Sequence, residues 1–182
     1  MASWGATDAN EAKPKWLTTA QKRDTFADSR GWVYRDPNTG LEEVLVAIGQ
    51  LSGAAKLNIA DITSVIFKST AYSHAAGGNI DVTVVYNEKV TVTGSPTLEI
   101  ANDQAGGGAS ATTTATYQSG SSTNKLTFRA TFGAASAALA EDDVLSIADQ
   151  SILPQGGNIA DQEAVNASLA IAGVTDTLTI SA

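Results

Sequence analysis

The chain has no cysteine, a single histidine and four prolines among its 182 residues. Without cysteine it can form neither a disulfide framework, nor a thiolate nucleophile, nor a cysteine-ligated metal site. It also lacks any apolar run near the roughly 20 residues that a membrane-spanning helix needs. No secretory signal pattern opens the sequence, so we expect no membrane partner. A chain of this length can still bury a core without metal or disulfide support.

Basic residues are scarce in most of the chain. Residues 57–182 contain four Lys/Arg and twelve Asp/Glu, so they carry the entire formal net charge of −8, whereas residues 1–56 are neutral. Binding to nucleic-acid phosphates needs clustered Lys and Arg. We therefore expect no nucleic-acid partner for this acidic body.

Residues 57–182 consist of short segments in which polar and apolar residues alternate, separated by turn sequences such as "TGSP" and "SGSSTN". Alternation of this kind is typical of half-buried strands, and strands spaced by roughly 8–12 residues are typical of a β-sandwich. The predicted strands cover residues 62–69, 79–94, 97–101, 112–119, 125–132, 143–148, 167–173 and 176–181. The pattern predicts an all-β, antiparallel sandwich over 57–182.

Residues 31–56 are predicted to form a β-hairpin and a linker. Two segments rich in β-forming residues, Trp32–Arg35 and 42–48, flank the sequence "DPNTG". Pro37 presets φ for a turn and Gly40 permits a positive φ, so this sequence favours a tight connection.

Residues 1–30 are polar and have no regular apolar period, which predicts an extended N-terminal arm. Within this arm, "LTTAQKRDTFAD" favours a short helix capped by Thr18 or Thr19. Such a helix is marginal on its own in water.

All three tryptophans, Trp4, Trp16 and Trp32, fall within the first 32 residues. Trp4 and Trp16 have few apolar neighbours in sequence, and large aromatic side chains in such a setting are typical interface anchors. For Trp32, which lies on a predicted strand, packing in the protein's own core is the alternative. The pattern indicates that the arm binds another protein.

The candidate chemical groups are few and have ordinary structural alternatives. His74 lies in a predicted loop without the nucleophile elbow of a serine hydrolase. The run "AEDD" (140–143), with Asp149 or Asp161, offers carboxylates for acid–base work or for Ca²⁺, although its spacing matches no EF-hand loop. The glycines of "QAGGGAS" (104–110) indicate a flexible hairpin tip. We expect no catalytic residue, no metal site, no cofactor and no enzymatic activity.

Part of the body resembles the bacterial-type immunoglobulin-like modules of surface and adhesion proteins. The stretches "YNEKVTVTGSPTLEI" (86–100) and "TATYQSGSSTNKLTFRATF" (114–132) are similar to the pattern of those modules, and "GGNIADQEAVNA" (156–167) is similar more loosely. The resemblance implies an immunoglobulin-like fold for the predicted sandwich.

The N-terminus, "MASWGATDANEAKPKWLT", resembles a group of structural proteins of tailed phages, particularly the T4-like marine and cyanobacterial kind. A Trp-Gly signature around Trp4 is followed by a Lys-Pro-Lys-aromatic-Leu segment, here Lys13, Pro14, Lys15, Trp16 and Leu17. The sequences "GW" (31–32) and "EEVLVAI" (42–48) also match the group. The resemblance implies a virion component with an N-terminal anchor and a projecting module.

These observations together predict a non-enzymatic capsid decoration protein, made in the host cytoplasm and located on the capsid surface. The expected partner is the major capsid protein or another virion protein, bound through Trp4, Lys13, Pro14, Trp16, Leu17 and Trp32. Alternatives are a connector of the neck, tail or fibre, and a carbohydrate-binding adhesion module that uses Tyr72, Tyr86 or Tyr117 for weak contact with host-surface glycans. Self-association into a homo-oligomer stays open.

Overall fold

The computed structural model describes residues 12–52 and 57–182. These residues form one short helix and fourteen strands, and nearly all of the regular structure is β. The elements are α1 (Thr19–Arg23), β1 (Thr25–Asp28), β2 (Gly31–Arg35), β3 (Glu42–Ala47), β4 (Ile62–Phe67), β5 (Tyr72–Ser73), β6 (Gly78–Thr93), β7 (Thr97–Asn102), β8 (Thr112–Ser119), β9 (Thr123–Phe132), β10 (Val144–Ile147), β11 (Gln150–Ser151), β12 (Asn158–Ala160), β13 (Ala170–Ile171) and β14 (Asp176–Ser181).

The main sheet follows the order β3-β2-β1-β6-β9-β8-β7-β10-β14-β5, and β4 and β12 also pair with β6. The pairing is antiparallel except for β1 with β6 and β14 with β5. Strands β11 and β13 form a separate two-stranded sheet. The predicted all-β architecture with mainly antiparallel pairing is confirmed.

The main sheet folds back on itself around one hydrophobic core. Strands β6 and β9 are separated from β10 and β14 by β8 and β7 in the order of the sheet. Even so, Val84 and Phe128 of the first pair of strands belong to the same buried cluster as Leu145 and Ile180 of the second pair. The backbone N–H of Phe67 on β4 donates to the Asp176 carboxylate at the start of β14, at 2.7 Å. The fold is therefore of the sandwich type, with burial alternating along β9 as the sequence predicts. The immunoglobulin-like connectivity stays a prediction.

Strand β6 connects the two parts of the molecule because different stretches of it pair with different strands. Residues 78–85 pair with β9, and residues 91–93 pair with β12. Between them the register with β9 shifts, so that residues 86–89 stand opposite Asn124 alone. Such a bulge bends a strand and frees residues from the regular ladder. Glu88, inside this bulge, pairs instead with Ala27 of β1.

Residues 12–52, which we call the N-terminal unit, have a small core of their own. Trp32, Ala27 and Leu51 are fully buried together, with Val46 and Ile48 packed against them. The predicted hairpin is confirmed as β2 and β3. In its turn, the Asp36 carboxylate accepts hydrogen bonds from the backbone N–H groups of residues 38 and 39, at 2.8 and 3.0 Å.

The predicted short helix is confirmed, and it begins where its cap residue indicates. Thr18 is the N-cap of α1, and its side chain and that of Gln21 form a reciprocal capping box. This arrangement satisfies backbone donors that the first helical turn leaves open. The helix leads directly into β1, which pairs along its length with β2. The predicted arm boundary at residue 30 thus falls inside a paired unit, because residues 25–28 belong to the sheet and α1 directly precedes them.

Several short elements had no sequence prediction. Strands β1, β5, β11 and β12 have two to four residues each, and β13 is a two-residue part of the predicted strand 167–173. Residues 133–143 form turns rather than a turn of helix. Among the described residues, no helix has the length and apolar character needed to cross a membrane.

Replacing Trp32 by alanine should destabilise the N-terminal unit by about 3 kcal/mol or more, because removal of a fully buried tryptophan leaves a large cavity. Chemical denaturation of the full chain, followed by circular dichroism, measures this loss. Trp16→Ala is the matched control, and it should change the free energy of unfolding by less than about 0.5 kcal/mol because the side chain is exposed. Equal losses in the two variants would contradict the assignment of Trp32 to the second core.

Candidate partner-binding surface

The segment that precedes α1 forms a turn with Trp16 at its tip. The N–H of Leu17 donates to the carbonyl of Pro14 at 3.3 Å, which closes the turn. Pro14 and Leu17 are buried against the rest of the chain, whereas Trp16 is 63% exposed. Two buried flanking residues hold the turn in place, so the indole is presented on a fixed support.

Lys13 holds the start of this turn against the helix. Its Nζ donates to the carbonyl of Lys22 at 2.7 Å, near the C-terminal end of α1, where a cation is favoured. Burial of the ammonium group, together with the nearby charge of Lys125, lowers the pKa of Lys13 to about 7. Lys13 thus serves the internal packing of the segment.

The structure separates the predicted partner-binding residues into two groups. Trp16 is exposed, whereas Trp32, Pro14 and Leu17 are buried within the chain. Because these three side chains are buried, they stabilise the fold rather than contact a partner. Of the described candidates, Trp16 is the one with a large apolar area facing solvent. Trp4 lies outside the described residues.

Exposed apolar side chains concentrate on the N-terminal unit. Of the five large hydrophobic residues that are exposed in the described chain, Trp16, Leu41 and Val44 lie within residues 12–52. The other two, Leu153 and Val165, lie on the much longer body. Leu41 is 73% exposed at the end of the hairpin turn, and Val44 lies on β3, the terminal strand of the main sheet. Apolar side chains that face solvent beside an open sheet edge are a feature of interaction surfaces.

A cleft of about 310 Å³ separates the N-terminal unit from β9. Asp24, Arg35 and Asp36 line it on one side and Lys125 on the other, and Lys125 forms an ion pair with Asp24 across it. Charged groups of both signs line this cleft, so it has no strong preference for an anionic or a cationic ligand.

The tyrosines that the carbohydrate-binding alternative would use are not exposed platforms. Tyr72 and Tyr86 are buried in the main core. Tyr117 is half-buried, packs edge-to-face on Phe128, and accepts a hydrogen bond from the N–H of Ser121 at 2.8 Å. Sugar binding by stacking would need an exposed aromatic face, which none of these three residues offers.

His74, the candidate for acid–base chemistry, has a structural contact. Its Nε2 lies 3.1 Å from the carbonyl oxygen of Ser136, in the loop that follows β9. Its backbone N–H donates to the carbonyl of Ser181 on β14. Within the described residues, these contacts assign His74 to the packing of two loops.

The acidic run 140–143 contains a carboxylate that organises two loops. Asp143 has no solvent exposure, and its carboxylate accepts hydrogen bonds from Asn102 Nδ2 and from the N–H groups of Ala140, Gly106 and Gly108. Burial raises the pKa of Asp143, but these four hydrogen bonds outweigh it and bring the pKa below its usual value.

The glycines of residues 104–110 allow this close approach. A Cβ on Gly108 would lie 2.1 Å from the Asp143 carboxylate, and one on Gly106 would lie 1.7 Å from the carbonyl oxygen of Glu141. The loop is therefore tied to residues 141–143, where the sequence had indicated a flexible tip. Among the described residues, no group of three or more His, Asp or Glu side chains has the geometry of a metal site.

Comparison of the chain with protein-family models, with curated proteins and with solved structures finds no match.

Replacing Asp143 by asparagine should lower the free energy of unfolding by about 2 kcal/mol near neutral pH, because an amide cannot accept all four hydrogen bonds of the buried carboxylate. Since the folded state depresses the pKa of Asp143, its contribution is present above the carboxyl's unfolded pKa and is lost as the pH falls through the folded value. The deficit of the variant should therefore shrink in acid.

Urea titrations of wild type and Asp143→Asn across the acid range measure this trend. Asp142→Asn is the matched control, because Asp142 is the exposed neighbour of Asp143. A deficit that does not depend on pH would show that the charge of Asp143 contributes nothing.

Proposed function

We propose that this protein is a non-enzymatic structural component of a tailed-phage virion, most specifically a capsid decoration protein. In this proposal the N-terminal unit contacts the shell, with the major capsid protein as its partner. The acidic sandwich, as an immunoglobulin-like module, faces outward from the capsid surface. The resemblance of the N-terminal sequence to phage structural proteins supplies the class of particle.

The observation that carries the proposal is the exposed indole of Trp16 on a turn whose flanking residues are buried. A rigidly held tryptophan can fill a pocket on a partner at low entropic cost, since its turn is already ordered before binding. Tryptophan is also among the residues that contribute most to binding at protein interfaces.

The distribution of charge supports the same orientation. The sandwich carries the whole net charge of −8, and its Asp and Glu residues favour a well-solvated surface that resists nonspecific association. The N-terminal unit holds the exposed Trp16, Leu41 and Val44. One end of the molecule is therefore suited to contact and the other to solvent.

A symmetric shell would offer many equivalent sites for a modest contact of this kind. Each copy would bind through a small apolar surface, and repeated equivalent sites on the capsid would accept many copies. If Trp4 supplies a second contact, the two sites act on one chain and the apparent affinity rises further. The neck, tail or fibre is the alternative location, where the same anchor would serve fewer copies.

Trp16→Ala should reduce incorporation into particles without unfolding the protein. Truncation of an interface tryptophan typically costs about 2 kcal/mol or more, which corresponds to roughly a thirtyfold weaker contact. The measurement is the ratio of this protein to the coat protein in purified virions from cells that express the variant.

The controls distinguish a lost contact from a lost fold. Leu153→Ala removes an exposed apolar side chain from the sandwich and should leave incorporation unchanged. Trp16→Phe keeps an aromatic ring on the turn and should retain most of it. Normal incorporation of Trp16→Ala would contradict the proposed role of Trp16 as an anchor. If Leu153→Ala also lost incorporation, the contact would extend to the sandwich.

A further inference from the structure

Glu88 occupies an unusual position for a carboxylate. It lies in the bulge of β6, where its residue pairs with Ala27 of β1, so it is located where the N-terminal unit joins the sandwich. We call this junction the seam. Ser52, at the end of the N-terminal unit, reaches the same region, since its hydroxyl donates to Glu163 at 3.5 Å.

The Glu88 side chain is buried without a partner. The residue is 1% exposed, and neither carboxylate oxygen has a hydrogen-bond partner. Asp161 is also buried, and one of its oxygens, Oδ2, is likewise without a partner. An ionised carboxylate in such a setting is strongly unfavourable, because it has lost its hydration and gained nothing in exchange.

Among the described residues, the charges that act on Glu88 are all negative. Asp161 and Glu163 approach from the loop after β12, and Asp61 approaches from the segment before β4. Burial contributes most, and these three carboxylates add to it, so the pKa of Glu88 is raised from 4.5 to about 8. Near neutral pH the side chain is therefore mainly protonated and uncharged.

Two of the described cations near the seam are bound to other carboxylates. On β6 itself, Lys89 forms an ion pair with Glu42 at 2.9 Å and lies over the ring of Phe26. At the end of β1, Asp28 is bound by Arg30 at 2.6 Å. The Lys89–Glu42 pair holds the two parts of the molecule together, and neither pair involves Glu88.

A proton accounts for this arrangement better than a metal ion does. A hard cation such as Ca²⁺ takes six to eight oxygen ligands. Within the described residues, no group of three or more acidic or histidine side chains has suitable geometry. A single proton on Glu88, in contrast, removes the buried charge and needs no further ligand.

We propose that Glu88 is a proton-operated latch at the seam. With Glu88 protonated, β1 stays paired with β6 and the N-terminal unit is held on the sandwich. Ionisation of Glu88 favours an open state in which the seam separates and the carboxylate is hydrated. This inference concerns the coupling between the two parts of the chain and does not depend on the proposed role in a virion.

The sign of the effect follows from proton linkage. Because the closed state holds its proton up to a pH of about 8 and a hydrated glutamate releases it near 4.5, the open state binds fewer protons between these values. The opening equilibrium should therefore rise by about tenfold per pH unit in this interval and level off above it. Low pH therefore favours the closed state, and high pH favours the open state.

Hydrogen exchange on the full chain, followed by mass spectrometry at several pH values and corrected for intrinsic exchange rates, tests the latch. Protection of β1–β3 should fall steeply as the pH rises, while peptides from β9 keep theirs. In Glu88→Gln, which removes the charge at nearly constant shape, protection of β1–β3 should stay at its acid level. Glu99→Gln is the matched control, because Glu99 is an exposed carboxylate on β7, and it should behave like wild type.

Each outcome of the exchange experiment either supports or contradicts the latch. Protection of β1–β3 that does not change with pH in wild type, or that changes equally in Glu88→Gln, would overturn the latch. A shift of the wild-type profile by Asp161→Asn would support it, because removal of one negative neighbour lowers the pKa of Glu88 and moves the levelling-off to lower pH. Restoration of protection at high pH by millimolar Ca²⁺, in wild type but not in Glu88→Gln, would overturn it in favour of a cation site.

Discussion

Residues 86–89 of β6 stand opposite Asn124 alone on β9, and this bulge is the constraint that lets one strand pair with both the sandwich and the N-terminal unit. Before the bulge, β6 lies between β4 and β9 and contributes Val82 and Val84 to the main core. Within it, Glu88 pairs with β1, and so the N-terminal unit becomes part of the same sheet. Asn124 stabilises the junction, since its Nδ2 donates to the carbonyl of Arg23 at 3.1 Å.

The same junction concentrates the polar interactions between the two parts of the chain. Lys125 pairs with Asp24, Lys89 pairs with Glu42, and Ser52 contacts Glu163. The first two are ion pairs that cross the seam, whereas Glu88 brings into it a carboxylate that has no hydrogen-bond partner among the described residues. The ion pairs thus stabilise the seam, whereas an ionised Glu88 destabilises it. The stability of the seam therefore depends on whether Glu88 is protonated.

Local sequence signals predicted the elements that depend on local physics. The candidate N-cap residues Thr18 and Thr19 predicted α1, and "DPNTG" predicted the connection between β2 and β3, because both features satisfy backbone groups within a few residues. Strand β1 had no such signal. Its four residues are held by β2 on one side and by the bulge of β6 on the other, and the second contact joins residues far apart in sequence.

The candidate site shows the same division between local and long-range determinants. The sequence identified the tryptophans as candidate binding residues. It could not show which of them are exposed, because burial depends on the folded chain, in which Trp16 is exposed and Trp32 is buried. For Glu88, the sequence "YNEKV" indicates an ordinary strand residue. Glu88 lies in a bulge, and its raised pKa depends on burial and on the charges of Asp161 and Glu163, which lie more than seventy positions away in sequence. No local pattern in the sequence contains that information.

We have proposed that the N-terminal unit of this protein attaches it to the surface of a capsid. The most direct measurement is its copy number in purified virions, quantified against the major capsid protein. Decoration predicts a fixed ratio to the coat subunits, set by the symmetry of the shell. Absence of the protein from purified particles would contradict a role in the virion, and a few copies per particle would indicate a location in the neck, tail or fibre.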